Sequence, residues 1–225
     1  AINTIGAVTG SLLAGFVLVP LIGLQGTLTL VSVTVVAIAT LAVAASHLTR
    51  SSTMTAAAGG IVVLAVAIFS PPWDRALLAS GSYLYAPYMP KDLDLEMMLK
   101  AGSLLYYREG ASATVSVKQL TGTTTLAVDG KVDASNRSDM LTQKLIAHLP
   151  LLLHDAPKDV AIVGLGSGVT LGAALRHPIA HADVVELSAE VVEASAFFAD
   201  DNGEALRDPR TRLLVGDGRS HVLLA

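Results

Sequence analysis

Before Asp74, Arg50 is the only Asp, Glu, Lys or Arg in the chain. A stretch that long with one charge cannot supply the polar face of soluble amphipathic helices. Three apolar segments fall within it, residues 3–22, 27–46 and 54–70. About twenty helical residues cross a hydrocarbon core of roughly 30 Å, so all three read as membrane spans. Gly6, Gly10 and the series Ala7, Ser11, Gly15 place small residues along the first span, which suits close helix packing. No ionisable residue lies inside a span, so no ion path is indicated. Pro71, Pro72 and Trp73 end the third, with Trp73 suited to the membrane interface.

The mean hydropathy of +0.58 comes from this region, because nearly all charge lies further on. A net charge of −4 gives no reason to expect nucleic-acid binding. There are no cysteines, which excludes disulfides and thiolate metal sites, and the six histidines are scattered without ligand spacing. No metal is expected. The chain starts at Ala1 rather than Met and stops inside a helix-like run, SHVLLA, so it is expected to be a fragment cut at both ends.

After a polar, tyrosine-bearing connection, in which residues 95–99 read as a helical turn, the period changes. Residues 104–108, 113–118 and 123–128 are short β-rich runs separated by Glu109-Gly110 and Thr121-Gly122. They predict an antiparallel meander closed by Asp129-Gly130. Leu141, Leu145, Ile146 and Leu149 are then spaced as in a helix over 139–153. The expected organisation is a membrane domain over 1–72, a linker over 73–102, the meander over 103–135 and a nucleotide-binding Rossmann-like domain over 136–225.

That last domain is announced by PKDVAIVGLGSGVTLG, residues 157–172. Residues 159–163 predict a buried parallel strand, and Gly164, Gly166 and Gly168 turn the chain into a helix near Val169. Glycines at alternate positions leave backbone that a ligand can approach, and the helix turns its free N–H groups toward it. About twenty residues on, the strand DVVEL carries Glu186 at its tip, placed to take both hydroxyls of a ribose. RLLVGDGR delivers Asp217 to the same edge. A dinucleotide fingerprint would need its third glycine at Val169. The spacing here is instead G-x-G-x-G, the form of S-adenosylmethionine-type folds.

The ordered set YYREGASATVSV, LAVDGKVDAS, HLPLLLHDAPKDVAIVGLGSG, DVVELSAEVVE and DPRTRLLVGDGR resembles the spermidine synthases, the polyamine aminopropyltransferases. More specifically it is similar to bacterial forms fused behind a membrane domain. The resemblance covers residues 106–225. It implies a class I methyltransferase-like fold that binds decarboxylated S-adenosylmethionine through Gly164, Gly166, Ser167, Gly168, Gln143, Glu186, Asp217 and Gly218. Within that set Glu186 would hold the ribose and Asp217 would lie at the adenine. Asp133 would face the substrate amine. The family's catalytic Asp would lie beyond Ala225, so no catalytic residue is assigned.

Four positions depart from the family pattern. Ser167 stands where the family has Asp, Asp133 where it has Gln, Thr142 where it has Tyr and Lys144 where it has Glu. The expected function is a membrane-anchored aminopropyltransferase. Two alternatives stay open: a methyltransferase using intact S-adenosylmethionine, and a non-enzymatic transporter-like protein whose domain senses an adenosine ligand. The expected partners are a small-molecule amine and the lipid bilayer, with a homodimer as the oligomeric form and no nucleic acid. The expected location is a bacterial inner membrane, crossed several times. Arg50 and His47 would place their loop in the cytoplasm by the positive-inside rule. Arg75 and Lys91 oppose them, and adenosyl-sulfonium donors are cytoplasmic, so the catalytic domain is expected on the cytoplasmic side.

Overall fold

The computed structural model describes residues 2–45 and 49–224; Ala1, Ser46, His47, Leu48 and Ala225 lie outside the described residues. The chain forms two units, Ala1–Asp74 and Arg75–Ala225.

In the first unit, α1 (Ile2–Leu13) passes through a π-helical turn, Ala14–Leu18, into α2 (Val19–Ala44). The first two apolar segments thus join in one helical run, interrupted at Gly23, whose φ of 76° and ψ of 170° suit glycine alone. The carbonyl of Gly23 is satisfied by Thr27 Oγ1–H at 2.7 Å, and Thr27 is the one buried residue of α2. The third segment begins earlier than its apolar pattern, as α3 (Arg50–Phe69), because Thr49 caps it by accepting the Ser52 N–H. Gly60 lets α3 approach Val36 of α2. Gln25 is a polar residue in an apolar helix, and its amide serves the backbone beyond α3. Its Nε2 donates to Pro71 O and its Oε1 accepts the Trp73 N–H, each at 2.9 Å. By length and composition the runs Ile2–Ala44 and Arg50–Phe69 are long and apolar enough to cross a membrane.

The second unit opens with short helices, α4 (Arg75–Leu78), α5 (Ser82–Tyr85), a 3-10 turn at Ala86–Tyr88, and α6 (Leu95–Leu99). They do not form a free connection but pack on the meander. Tyr85 OH accepts the Val132 N–H, and Lys118 Nζ donates to Leu99 O. The meander is β1 (Ser103–Glu109), β2 (Thr114–Leu120), β3 (Thr123–Val128) and β4 (Lys131–Ser135), antiparallel and in that spatial order. The D-G pair was expected to close the meander after three strands, and this is corrected. Asp129 and Gly130 both have positive φ, 50° and 79°, and so make a tight hairpin turn into a fourth strand. Covered on both sides, β2 buries Val115, Ser116 and Val117 in succession.

Next come α7 (Met140–Leu153), β5 (Asp159–Val163), α8 (Val169–Ala174), β6 (His181–Glu186) and α9 (Ala189–Ser195). They are followed by α10 (Ala199–Asn202), β7 (Thr211–Val215) and α11 (Gly218–Leu224). The three strands form a parallel sheet in the order β5-β6-β7. One face packs Val160, Ile162, Ala182, Val184 and Leu213 against Ala147 and Leu151 of α7 and Leu171 and Ala174 of α8. A second core joins Val115, Val117, Leu126 and Ala134 of the meander to Val191, Ala194 and the fully buried Phe198. The expectation of a fully buried first strand is corrected too: Asp159, Ala161 and Val163 alternate outward and are exposed. Among the described residues β5 has a strand partner on one side only.

Gly81 and Gly130 meet back to back, and a Cβ on Gly81 would stand 2.2 Å from the Gly130 carbonyl oxygen. Gly81→Ala is therefore expected to destabilise the second unit by about 1–3 kcal/mol, since backbone opposes backbone there. Urea unfolding followed by tyrosine fluorescence measures this, and an unchanged midpoint would show that the two backbone segments do not touch.

Candidate nucleoside site

The parallel register sets Val163 beside Val185 and Glu186 beside Val215, so three strand ends stand in a row. The backbone continues the ladder past the strands. Gly164 N–H donates to Val185 O and Gly216 N–H to Glu186 O, both at 2.8 Å. The three glycines of the turn have φ of 91°, 56° and 79°. They serve two different ends. A Cβ on Gly164 or Gly166 would meet nothing within 4 Å, so these positions are open to a ligand. On Gly168 it would press on Asn202 Nδ2 at 3.0 Å, and on Gly172 it would meet Asn202 O at 2.2 Å. These two allow close packing. The helix behind the turn, α8, has only six residues, so its dipole is short.

Glu186 is buried, at 8% exposure. Its Oε2 accepts the Leu165 N–H at 2.8 Å and its Oε1 accepts the Ser188 N–H at 3.0 Å. Each oxygen keeps a lone pair for a further donor, such as a ribose hydroxyl. Ser167, only 1% exposed, donates its hydroxyl to Gln143 Oε1, while Gln143 Nε2 donates to Ser135 O and Asp139 Oδ2 at 2.8 Å each. Gln143 and Ser167 are thus brought together and turned toward each other, tying α7 to the glycine turn. Gly218 crosses over Val163, where a Cβ would fall 2.5 Å from Val163 Cγ1, and this carries Asp217 to the row of strand ends.

Asp217 is exposed, and its carboxylate accepts Arg219 N–H, Ser220 N–H and Ser220 Oγ–H. The bonds to Ser220, then to Arg219, hold its pKa below the ordinary carboxylate value. Asp133 is the extra residue where β4 bulges against Leu126 and Ala127; it is exposed and pairs with Lys131 at 2.9 Å. Thr142 and Lys144 flank Gln143 and are exposed. No three His, Asp or Glu side chains converge as a metal site among the described residues. Asn202, Leu165 and Asp139 were not among the expected site residues. Asn202-Gly203 reads as a helix stop, and Gly203 does adopt φ of 66° there. Nothing local in the sequence shows an amide that reaches back 35 residues to Ser167.

A glycine turn between strand and helix, an acid at the next strand tip and a capped loop after the third mark a Rossmann-like methyltransferase fold. Residues 139–223 match the family described as spermine/spermidine synthase domain. A polyamine aminopropyltransferase of Bacillus mycoides is 34% identical over 98 residues, 43% of this chain and 36% of that protein. A spermidine synthase of Dictyostelium discoideum is 34% identical over 94 residues, 41% of this chain and 33% of the relative. The crystal structure of spermidine synthase from Thermotoga maritima aligns with a TM-score of 0.50 at 25% identity, over 53% of this chain and 42% of that one. A spermidine synthase in complex with the transition state analogue AdoDATO aligns equally well. The chain spans about a third of the length of the curated relatives it matches first.

The Asp217 cap gives a signed pH effect. A carboxyl whose folded pKa is lowered contributes stability above its unfolded value and loses it as pH falls through the folded one. Asp217→Ala is expected to lower the melting temperature at neutral pH, with the gap to wild type narrowing in acid. A gap that widens in acid would show that the carboxylate is not the capping form.

Proposed function

We propose that the protein is an aminopropyltransferase of spermidine-synthase type, anchored in a membrane by its apolar helices. The observation that carries this is the buried Glu186, bonded to Leu165 N–H directly beside the open Gly164 and Gly166. A buried carboxylate with free lone pairs beside uncovered backbone suits a neutral diol such as ribose, with the rest of the nucleoside laid along the turn. The donor is decarboxylated S-adenosylmethionine, consistent with the AdoDATO complex of the aligned spermidine synthase. An amine nitrogen uses its lone pair to attack the carbon next to the sulfonium. The carbon–sulfur bond breaks, its electrons pass to sulfur, methylthioadenosine leaves, and the new ammonium gives up a proton. An ammonium has no lone pair, so the acceptor must be neutral at attack and a base must take the proton. The sulfonium is already a good leaving group, so alignment supplies most of the acceleration.

One observation favours a second reading, methyl transfer from intact S-adenosylmethionine. Ser167 brings no carboxylate to the turn, and its hydroxyl is occupied by Gln143. The site then lacks the carboxylate that the family pattern places at this position.

Removal of the Glu186 charge tests the nucleoside assignment. Glu186→Gln in the full-length protein is expected to weaken methylthioadenosine about tenfold to a hundredfold, the worth of a charged hydrogen bond. Isothermal titration reads this, and equal affinities would remove Glu186 from the ribose.

Topology follows from the donor. Because adenosyl-sulfonium compounds are cytoplasmic, residues from Asp74 onward face the cytoplasm and the Arg50 end of α3 faces outward. These 225 residues carry no cysteine, so a single introduced cysteine is the one thiol within them. Ser135 is buried and bonded to Asp139, which would shield a probe there, whereas Ser51 and Ser112 are exposed. In intact cells an impermeant maleimide is expected to label Ser51→Cys and spare Ser112→Cys. The opposite pattern would reverse the orientation.

A further inference from the structure

Asn202 ends α10 directly under the glycine turn and is 8% exposed. Its Nδ2 lies 2.8 Å from Ser167 O and 3.2 Å from Ser195 O. Both neighbours are carbonyl oxygens, which only accept, so the amide must face them with its NH₂ group. That choice leaves Oδ1 without any partner, the one such buried side-chain atom among the described residues. An orphaned buried acceptor is destabilising, and an apolar side chain of similar size would avoid it. The asparagine is therefore explained by what its NH₂ group does.

What it does is hold Ser167 by the backbone. The Ser167 hydroxyl is meanwhile held by Gln143 Oε1, and Gln143 O accepts the Thr170 hydroxyl. Ser167 sits between Gly166 and Gly168, the most permissive backbone in the chain. Clamped through both carbonyl and hydroxyl, it fixes the peptide planes on either side of it. The contact is close because Gly168 and Gly172 carry no Cβ toward Asn202. A loop already fixed in its binding conformation loses less freedom when ligand arrives, so more of the contact energy appears as affinity.

We infer that Asn202 is a positioning residue for the adenosyl donor, acting through the Ser167 carbonyl without touching the ligand. This rests on the nucleoside reading of the site given above. The test uses the full-length protein with methylthioadenosine as probe, at a temperature well below every melting transition. Asn202→Asp keeps the shape but replaces the donor with a third oxygen, and Asn202→Ala removes donor and orphan acceptor together. Both are expected to bind about tenfold more weakly. Hydrogen exchange at Gly166 and Ser167 is expected to quicken while exchange in the distant strand β3 holds. A merely structural residue would lower the melting temperature and leave folded-state affinity unchanged, and that result overturns the inference. If Glu186→Gln weakens binding and both Asn202 variants bind as wild type, the inference fails and the nucleoside reading stands. If none of the three variants changes affinity, the nucleoside reading fails and takes the inference with it. Should neither Asn202 variant fold, wild type alone decides. Its turn amides must be protected before nucleoside is added, and protection that appears only on binding overturns the inference.

Discussion

The hydrogen bond from Leu165 N–H to Glu186 Oε2 joins the first strand's exit to the second strand's tip, and the site depends on it. Glu186 is a buried carboxylate that ends a strand, a position that is costly unless donors are at hand. The glycine turn provides one at Leu165 and the following loop another at Ser188. That requirement constrains the turn in return. Leu165 can point its N–H at Glu186 only if the chain leaves β5 with the positive φ that Gly164 adopts. Acid and glycines therefore specify one another, although 21 residues separate Leu165 from Glu186.

Around this bond the second unit is fastened from three directions. Gln143 ties α7 to the turn through Ser167, and Asn202 ties α10 to it through the same residue. On the meander side, Tyr106 OH donates to Glu193 of α9 at 2.8 Å, and the Glu190 carboxylate rests against Gly110. Burial first, and then the Glu193 carboxylate, push the Tyr106 phenol well above its ordinary value, so it remains a donor. The meander is thus fastened to the helix that follows Glu186, and its position is linked to the same strand tip.

Much of the fold was legible because it follows from local pattern. The glycine turn, the acidic tip and the strands β5, β6 and β7 are short apolar runs bounded by turn residues, and the 3.6-residue spacing of α7 is clear. The fourth meander strand was not legible. Lys131-Val132-Asp133-Ala134-Ser135 is short and charged, as edge strands are, and its hydrophobic alternation is broken by a bulge at Asp133. The helical turn at 95–99 is legible, whereas α4 and α5, of four residues each, are too short to show a period. Gly23 looked ordinary among apolar helix residues, and its break appears only in φ and ψ. At the site, residue types were readable but directions were not. Gln143 and Ser167 were both expected to face a ligand, whereas their polar atoms face each other.

The sheet itself explains why its strands alternate. Parallel sheets buried on both faces read as continuous apolar runs. Here one face packs on α7 and α8, while the other carries Asp159 against His181 and Asp183 against Arg212 across neighbouring strands. These exposed pairs contribute little stability. They do fix register, because a one-residue slip would turn both pairs inward and push Val160 and Ala182 out. Register matters more here than in most sheets, since it alone sets Gly164, Glu186 and Gly216 side by side. The charged face therefore helps to decide where the three strand ends stand.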